Sequence, residues 1–366
     1  MTKLQLVLKS TFHKYFKNKK MKTLSLIITL LIGMNLSGQN HGEIMECGKA
    51  IGYAYGIELT LNHIIESNTR YSRIAKVKQI EFNQAHGQSI NEIEQIVQEH
   101  YKLTSSEIKM KIRDDLENEL SFEMMSDFDI DNYLDNFLTS HIMGLDKYTC
   151  DFVGILNKYN NRFNKNPLLE FLNNYRKTIG TLDHPKAKGL DLSFEYPLSW
   201  TAQEAKRPNV VTLIKDNKNL CSITLAIKDI VPSIEEEFGK FSEEEVEYIR
   251  SEEFALELFD GEFDYKFGKE FISEIGLINV NDYSFEKTLI EGEPCIVVKG
   301  RGVMKRATIS LNIYCLNYLI IYKGRYIIMS LMLNGETQSD IIKHYKIYEP
   351  LANSIVNSLV INDKWR

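Results

Sequence analysis

Residues 189–208 read GLDLSFEYPLSWTAQEAKRP. Leu190, Leu192, Phe194 and Tyr196 alternate with Asp191, Ser193 and Glu195. Successive side chains of a strand point to opposite faces, so this period of two predicts a half-buried strand that opens a sheet. Pro197 ends it, and Trp200 follows three residues later. Before residue 160 glycine and proline are scarce and no such alternation occurs. The stretch therefore marks the change from a helical half to a sheet-rich half.

Upstream, residues 44–180 read as helical. In the run Ile44–Glu66, Ile44, Cys47, Ile51, Ala54, Ile57, Leu61, Ile64 and Ile65 recur at near-helical spacing. Tyr71–Ala85 is a second helix by the same pattern. Ser89 with Glu92 reads as a capping box opening a third, and Thr104 with Glu107 as one opening a fourth. Asp129–Met143 and Cys150–Tyr159 follow. Pro167 suits the first turn of a last helix, Leu168–Arg176. The sequence His184-Pro185-Lys186-Ala187-Lys188-Gly189 breaks both periodicities and reads as a linker.

Downstream the pattern is α+β. Val210–Lys215 and Leu220–Ile230 are predicted strands joined by the turn-forming Asp216-Asn217-Lys218-Asn219. Ser242–Phe259 is a predicted helix with Ser242 and Glu245 as a capping box. Asp282–Ile290 with Cys295–Met304, and Thr308–Tyr322 with Tyr326–Leu333, read as two further hairpins. The last carries Leu319-Ile320-Ile321-Tyr322 and Tyr326-Ile327-Ile328-Met329, apolar on both faces. Such strands must be covered on both faces, which calls for helices above and below the sheet. Ile341, Tyr345, Tyr348, Ala352, Ile355 and Leu359 form one helical stripe that supplies a cover. Pro350 lies inside that run, so a kink or a fresh start near Glu349 is expected.

The chain begins with a different signal. Lys22 precedes the uncharged run Leu24–Leu36, and Ser37-Gly38 follow it. The run is roughly 13 residues, short of the about 20 that span a bilayer. A basic start, a short apolar core and small residues after it describe a secretory signal peptide, with a membrane anchor left uncut as the other reading. Met21 is a more ordinary start than Met1. Glu46 before Cys47 does not fit a lipid-anchor signal. These features predict a periplasmic or secreted protein with no stable membrane span after leader removal.

Residues 1–38 hold seven lysines and no acid, so removing them takes the net charge from −6 to −13. Phosphate-binding surfaces need a basic face, so nucleic acid is not an expected partner. The five cysteines form no CxxC pair and no zinc-type spacing. Cys221, Cys295 and Cys315 lie in apolar strand-like runs and read as buried thiols. Cys47 and Cys150, at opposite ends of the helical half, leave a disulfide open in an exported chain.

An opening strand ending in Tyr-Pro-x-x-Trp (Tyr196, Pro197, Trp200), then antiparallel hairpins, then a last helix ending Leu351-Ala352-Asn353-Ser354-Ile355-Val356-Asn357-Ser358-Leu359, resembles the PsbP/Mog1-type α/β/α sandwich. The resemblance covers roughly residues 190–362. It implies a binding or accessory module and argues against an enzyme. The helical half resembles no family that its residues identify. The expected organisation is a leader over 1–38, a helical domain over 39–183, a linker over 184–189 and a PsbP/Mog1-like domain over 190–366.

Motifs for chemistry are few. An EF-hand loop from Asp127 would have acids at Asp127, Asp129 and Asp131, but Asn132 and Leu138 stand where Gly and the bidentate Glu belong. The plainer reading is that these acids cap the next helix. His63 and Glu66 share a helix face without further metal ligands at a recognisable spacing. No GxSxG, catalytic cysteine signature or phosphate loop occurs, and no cofactor or metal motif. The segment Ser199–Pro208 is the remaining candidate, a partner-binding loop carrying Trp200, Glu204 and Arg207. Trp200 reads either as a recognition residue or as a plug at the end of the sandwich, with Glu204 and Arg207 as an i, i+3 pair holding the loop. The leading functional expectation is an exported non-enzymatic binding protein. The alternative is an exported hydrolase using His63, Glu66 or the Asp127–Asp131 group.

Overall fold

The computed structural model describes residues 41–111, 125–232, 235, 239–306 and 309–365. The predicted leader, and residues 112–124 after the helix that Thr104 opens, lie outside them. The chain divides into two compact units, with the boundary between Asn164 and Lys165.

The first unit is helical. Among the described residues, helix α1 (His41–Ser67) and helix α2 (Ser72–Tyr101) are its longest elements, and they pack on each other. Seven of the eight apolar positions named for α1, all but Ile65, are buried. They meet Phe82, Ile93 and Val97 of α2, Ile130 and Leu134 of α3 (Asp127–Asp135) and Leu156 of α4 (Cys150–Lys158) in one core. The predicted break at Ser89 does not occur. Ser89 is buried inside the continuous helix α2, because its face belongs to the core. The box at Thr104 does form: Glu107 accepts from the Thr104 N–H at 2.7 Å, and Thr104 accepts from the Glu107 N–H at 3.3 Å.

The second unit is α+β. Its main sheet has seven antiparallel strands in the order β3-β4-β5-β9-β8-β7-β6. These are β3 (Thr201–Glu204), β4 (Val210–Lys215), β5 (Cys221–Asp229), β6 (Leu277–Ile290), β7 (Glu293–Arg306), β8 (Ile309–Tyr322) and β9 (Arg325–Gly335). Side chains of β8 divide by parity. Tyr314, Leu316, Tyr318 and Ile320 enter one core, with Tyr348, Leu351 and Ile355 of helix α9 (Gln338–Val356). Ile313, Cys315, Leu319 and Ile321 enter the other, with residues of α6 (Glu243–Ile249), α7 (Glu252–Glu257) and α8 (Tyr265–Glu274). Helices cover both faces, as the two-sided apolar strands required. Helix α9 runs through Pro350 as one element, without a fresh start. The predicted helix after Ser242 is capped as expected but divides at Ser251, which caps α7.

The opening strand differs from expectation in its partners. Strand β2 (Leu192–Pro197) is the centre of a separate three-stranded sheet, between β1 (Arg176–Gly180) and β10 (Val360–Ile361). Leu192, Phe194 and Tyr196 face the same core as α9. The predicted last helix is shorter, α5 (Pro167–Leu172), and Arg176 opens β1 instead. The expected linker is also part of this unit. Pro185–Ala187 form one 3-10 turn, Ala187 and Leu190 are buried in the core, and Lys186 pairs with Glu204 at 3.0 Å. Ala187 within the Lys-rich turn and Leu190 just after it pack it down.

Candidate functional site

The segment chosen from sequence is a structural corner. Trp200 is only 3% exposed and lies in the core, its ring 6.1 Å from that of Tyr348. Buried polar groups fix the corner. Glu170 of α5 accepts from the Ser199 backbone N–H at 2.8 Å and from its hydroxyl at 2.7 Å. Asn217 donates to the Ser199 hydroxyl at 3.1 Å. The Tyr348 hydroxyl donates to Asp216 at 2.7 Å, and the Cys221 N–H donates to the same carboxylate at 3.1 Å. The residues after Trp200 form edge strand β3, not a loop. Glu204 and Arg207 are exposed, but no helix joins them, and Glu204 pairs with Lys186.

The other sequence candidates do not form a site. Asp127 opens α3 behind a capping box of Ser126 and Asp129, so helix and not calcium loop forms there. Asn68 donates to Asp127 at 3.1 Å and Arg70 pairs with it at 3.4 Å, which brings the end of α1 near the start of α3. His63 is half-buried and Glu66 exposed. Among the described residues no three His, Cys, Asp or Glu side chains group as a metal would need. Neither Cys47 nor Cys150 is part of a disulfide. The Cys47 thiol donates to the Tyr159 hydroxyl at 3.2 Å, and Cys150 donates to the Lys147 carbonyl at 3.4 Å, so no bridge joins them.

A different place gathers polar side chains. Lys299 and Arg301 stand two apart on β7 and so share a face. Gly300 between them faces α8, since a Cβ there would meet Ile272 of α8 at 2.9 Å. The two cations therefore look toward α9. Lys299 pairs with Glu349 of α9 at 3.2 Å and Glu286 of β6 at 3.7 Å. Arg301 pairs with Asp282 of β6 at 2.5 Å. Register places Ser284 directly across from Lys299, and Tyr314 directly across from Arg301. Tyr345 of α9 leans on Tyr314, their ring centres 4.4 Å apart.

Local backbone sets this arrangement. The β6–β7 register slips between Asn281 and Ser284, and Asp282 has a left-handed φ of 53°. Such a bulge bends the strand and re-aims its side chains, here turning Asp282 onto Arg301.

Electrostatics on this face are strong. Burial opposes the Lys299 charge, but Glu349 and Glu286 outweigh it and hold the ammonium above the ordinary lysine value. Burial, then Glu349 and Tyr345, push the Tyr314 hydroxyl well above the ordinary tyrosine value. Tyr345 is a hydrogen-bond partner of that hydroxyl, whereas the Ser284 hydroxyl and the Arg301 Nε are buried with no protein partner. Buried polar atoms are normally bonded, so two exceptions on one face of neighbouring strands call for an explanation. Sequence reading missed this site because its residues come from four separated segments with no motif. The one available signal was charge at Lys299 and Arg301 inside a strand otherwise rich in apolar residues.

No protein-family model matches this chain, and no curated protein matches its sequence.

Proposed function

We propose that this chain is an exported, non-enzymatic binding or accessory protein that recognises another protein or an envelope component through the polar face of β6, β7 and β8 beside α9. The export part of the reading rests on residues 22–38, and the accessory part on the PsbP/Mog1-like resemblance of the second unit. An antiparallel sheet covered by helices on both faces, closed by a C-terminal helix, is in keeping with that resemblance. The observation that carries the choice of surface is the pair Lys299 and Arg301, each held by a carboxylate, beside the buried Ser284 hydroxyl, which bonds to no other group of the protein. The Trp200 corner has the opposite character, since its polar groups are taken up by one another.

Photo-crosslinking tests the assignment. A benzophenone side chain at exposed Thr288, on the same strand face as Ser284 and Glu286, is expected to give a discrete adduct in the native envelope. Arg301→Ala is expected to abolish the adduct. An adduct that survives Arg301→Ala, or the absence of any adduct, removes this surface from consideration.

A further inference from the structure

Helix α2 gives its inner face to the core, where Ala75, Phe82, His86, Ser89, Ile93 and Val97 are buried. Its outer face carries a second apolar group. Ile74, Val77 and Ile80 are 48%, 46% and 57% exposed. Residues three apart on a helix are neighbours, so these side chains form one ridge, about 9 Å long. Apolar residues scattered singly over a surface are ordinary, whereas a contiguous set rimmed by polar residues points to an interaction site.

The charge around this ridge is of one sign. Residues 67–80 contain Arg70, Arg73, Lys76 and Lys78 and no acid, in a chain that is acidic as a whole. Arg70 pairs with Asp127 and Lys78 with Glu81. Arg73 and Lys76 are exposed and take part in no ion pair among the described residues. Arg73 lies four residues before Val77 and Lys76 four before Ile80, so both cations flank the ridge. Acids further along the helix are engaged elsewhere. Asn161 donates to Glu92 at 2.8 Å, and Ser105 donates to Glu94 at 2.9 Å.

The ridge therefore fits a partner that accepts aliphatic side chains and carries negative charge around them. A second copy of this chain is disfavoured, because it would bring two sets of unpaired cations together. Peptide helices dock by laying an apolar side into a groove, and here the aliphatic side chains stand on a ridge. A bilayer interface needs no groove. The apolar side chains of a surface helix sink about 5–10 Å into it, while long cationic side chains reach the phosphates of anionic lipids.

We infer that the outer face of α2 is a peripheral membrane contact: Ile74, Val77 and Ile80 enter the headgroup–acyl boundary of an anionic lipid surface, and Arg73 and Lys76 bind its phosphates. The contact does not cross the bilayer; no described helix is long and apolar enough to do so. It belongs to the first unit and is independent of the polar face of the second.

Fluorescence of the full chain with dansylalanine in place of Val77 tests the inference. Vesicles of phosphatidylglycerol are expected to shift the emission to the blue, and vesicles of phosphatidylcholine to leave it unchanged. The same label in place of exposed Thr288, in the second unit, is expected not to shift and controls for adsorption of the whole chain. Arg73→Glu with Lys76→Glu should weaken vesicle affinity at least about tenfold, since each cation near an anionic surface favours binding. Ile74→Ser with Ile80→Ser should remove the shift. Both variants alter exposed residues, so their circular dichroism and thermal midpoints should stay near those of the unaltered chain. Should either unfold, the labels at Val77 and Thr288 in the otherwise unaltered chain still decide. The inference is overturned if Val77 shows no shift with phosphatidylglycerol, shifts equally with phosphatidylcholine, or keeps its affinity in the folded charge variant. An equal shift at Thr288 also overturns it. A shift without vesicles that grows with protein concentration would place a second copy on the ridge, and one matched by polyglutamate would give it to an acidic polypeptide; either result ends the lipid assignment.

Discussion

The buried carboxylate of Glu170 accepts two hydrogen bonds from a single residue, Ser199: one from its backbone N–H and one from its hydroxyl. Glu170 is 1% exposed. It belongs to α5, so this contact fastens that helix to the corner between β2 and β3. Glu170→Ala leaves two buried donors without an acceptor, at a cost of about 3 kcal/mol. Urea unfolding followed by tryptophan fluorescence measures it, because Trp200 lies one residue from the contact. A loss of stability no larger than that of an exposed substitution would mean that the corner holds without Glu170.

Trp200 itself is predicted to matter to stability and not to recognition. Its side chain fills space among Tyr196, Tyr348 and the sheet. Trp200→Ala leaves a cavity there and should cost about 4 kcal/mol. At a temperature where the variant is folded, the Thr288 adduct should form as in the unaltered chain. An unchanged unfolding midpoint together with a lost adduct would return Trp200 to the role of recognition residue.

Periodicity along β2 was readable, and its buried face is the one the alternation indicates. Its sheet was not, because a period of two says which side chains are buried and nothing about which strand pairs alongside. Only the polar, five-residue β1 and the two-residue β10 show that β2 belongs to a separate sheet, and neither is long enough to alternate. The same limit explains Ser89. Its capping pattern is local, and the burial that keeps α2 continuous is tertiary. Long elements with two-sided apolar runs, such as β8 and β9, were legible because their pattern leaves one packing solution. The polar face around Arg301 was illegible for the opposite reason. Strand register and a bulge assemble it, and no spacing along the chain foretells either.

Five free thiols are expected by mass after unfolding without reductant. In the folded protein Cys150, half-exposed at the start of α4, should react first with a thiol-selective reagent. The thiolate is the reactive form, and burial pushes Cys295 up to about 12 and Cys315 to about 11. Burial raises Cys47 as well. A count of three thiols would reveal a bridge, and one that includes Cys47 would contradict its bond to Tyr159.

Acid should unfold the helical unit before the sheet-bearing one. Burial pushes both His86 and His141 down to about 4, although nearby groups oppose the shift: the backbone carbonyls of Ile142 and His141 for His86, and Asp146 for His141. The His86 Nε2 is 3.1 Å from the Ile142 carbonyl, and the Tyr53 hydroxyl is 2.9 Å from His141 Nδ1. Tyr133 and Phe137 pack against the His141 ring. In the unfolded chain each histidine binds its proton near pH 6.5. The folded state holds them neutral until about pH 4, so in the window between these values the unfolded state carries more protons. Stability is therefore full above about 6.5, falls as pH falls through that window, and levels off below 4. Each histidine accounts for at most about 3 kcal/mol of the loss. Far-UV circular dichroism should show helix loss near pH 4.5 while the fluorescence of Trp200 and Trp365, both in the second unit, is still native. His86→Gln with His141→Gln should flatten the dependence between pH 7 and pH 4.5, whatever it does to stability at neutral pH. A double variant with the original slope would place the acid sensitivity on other groups.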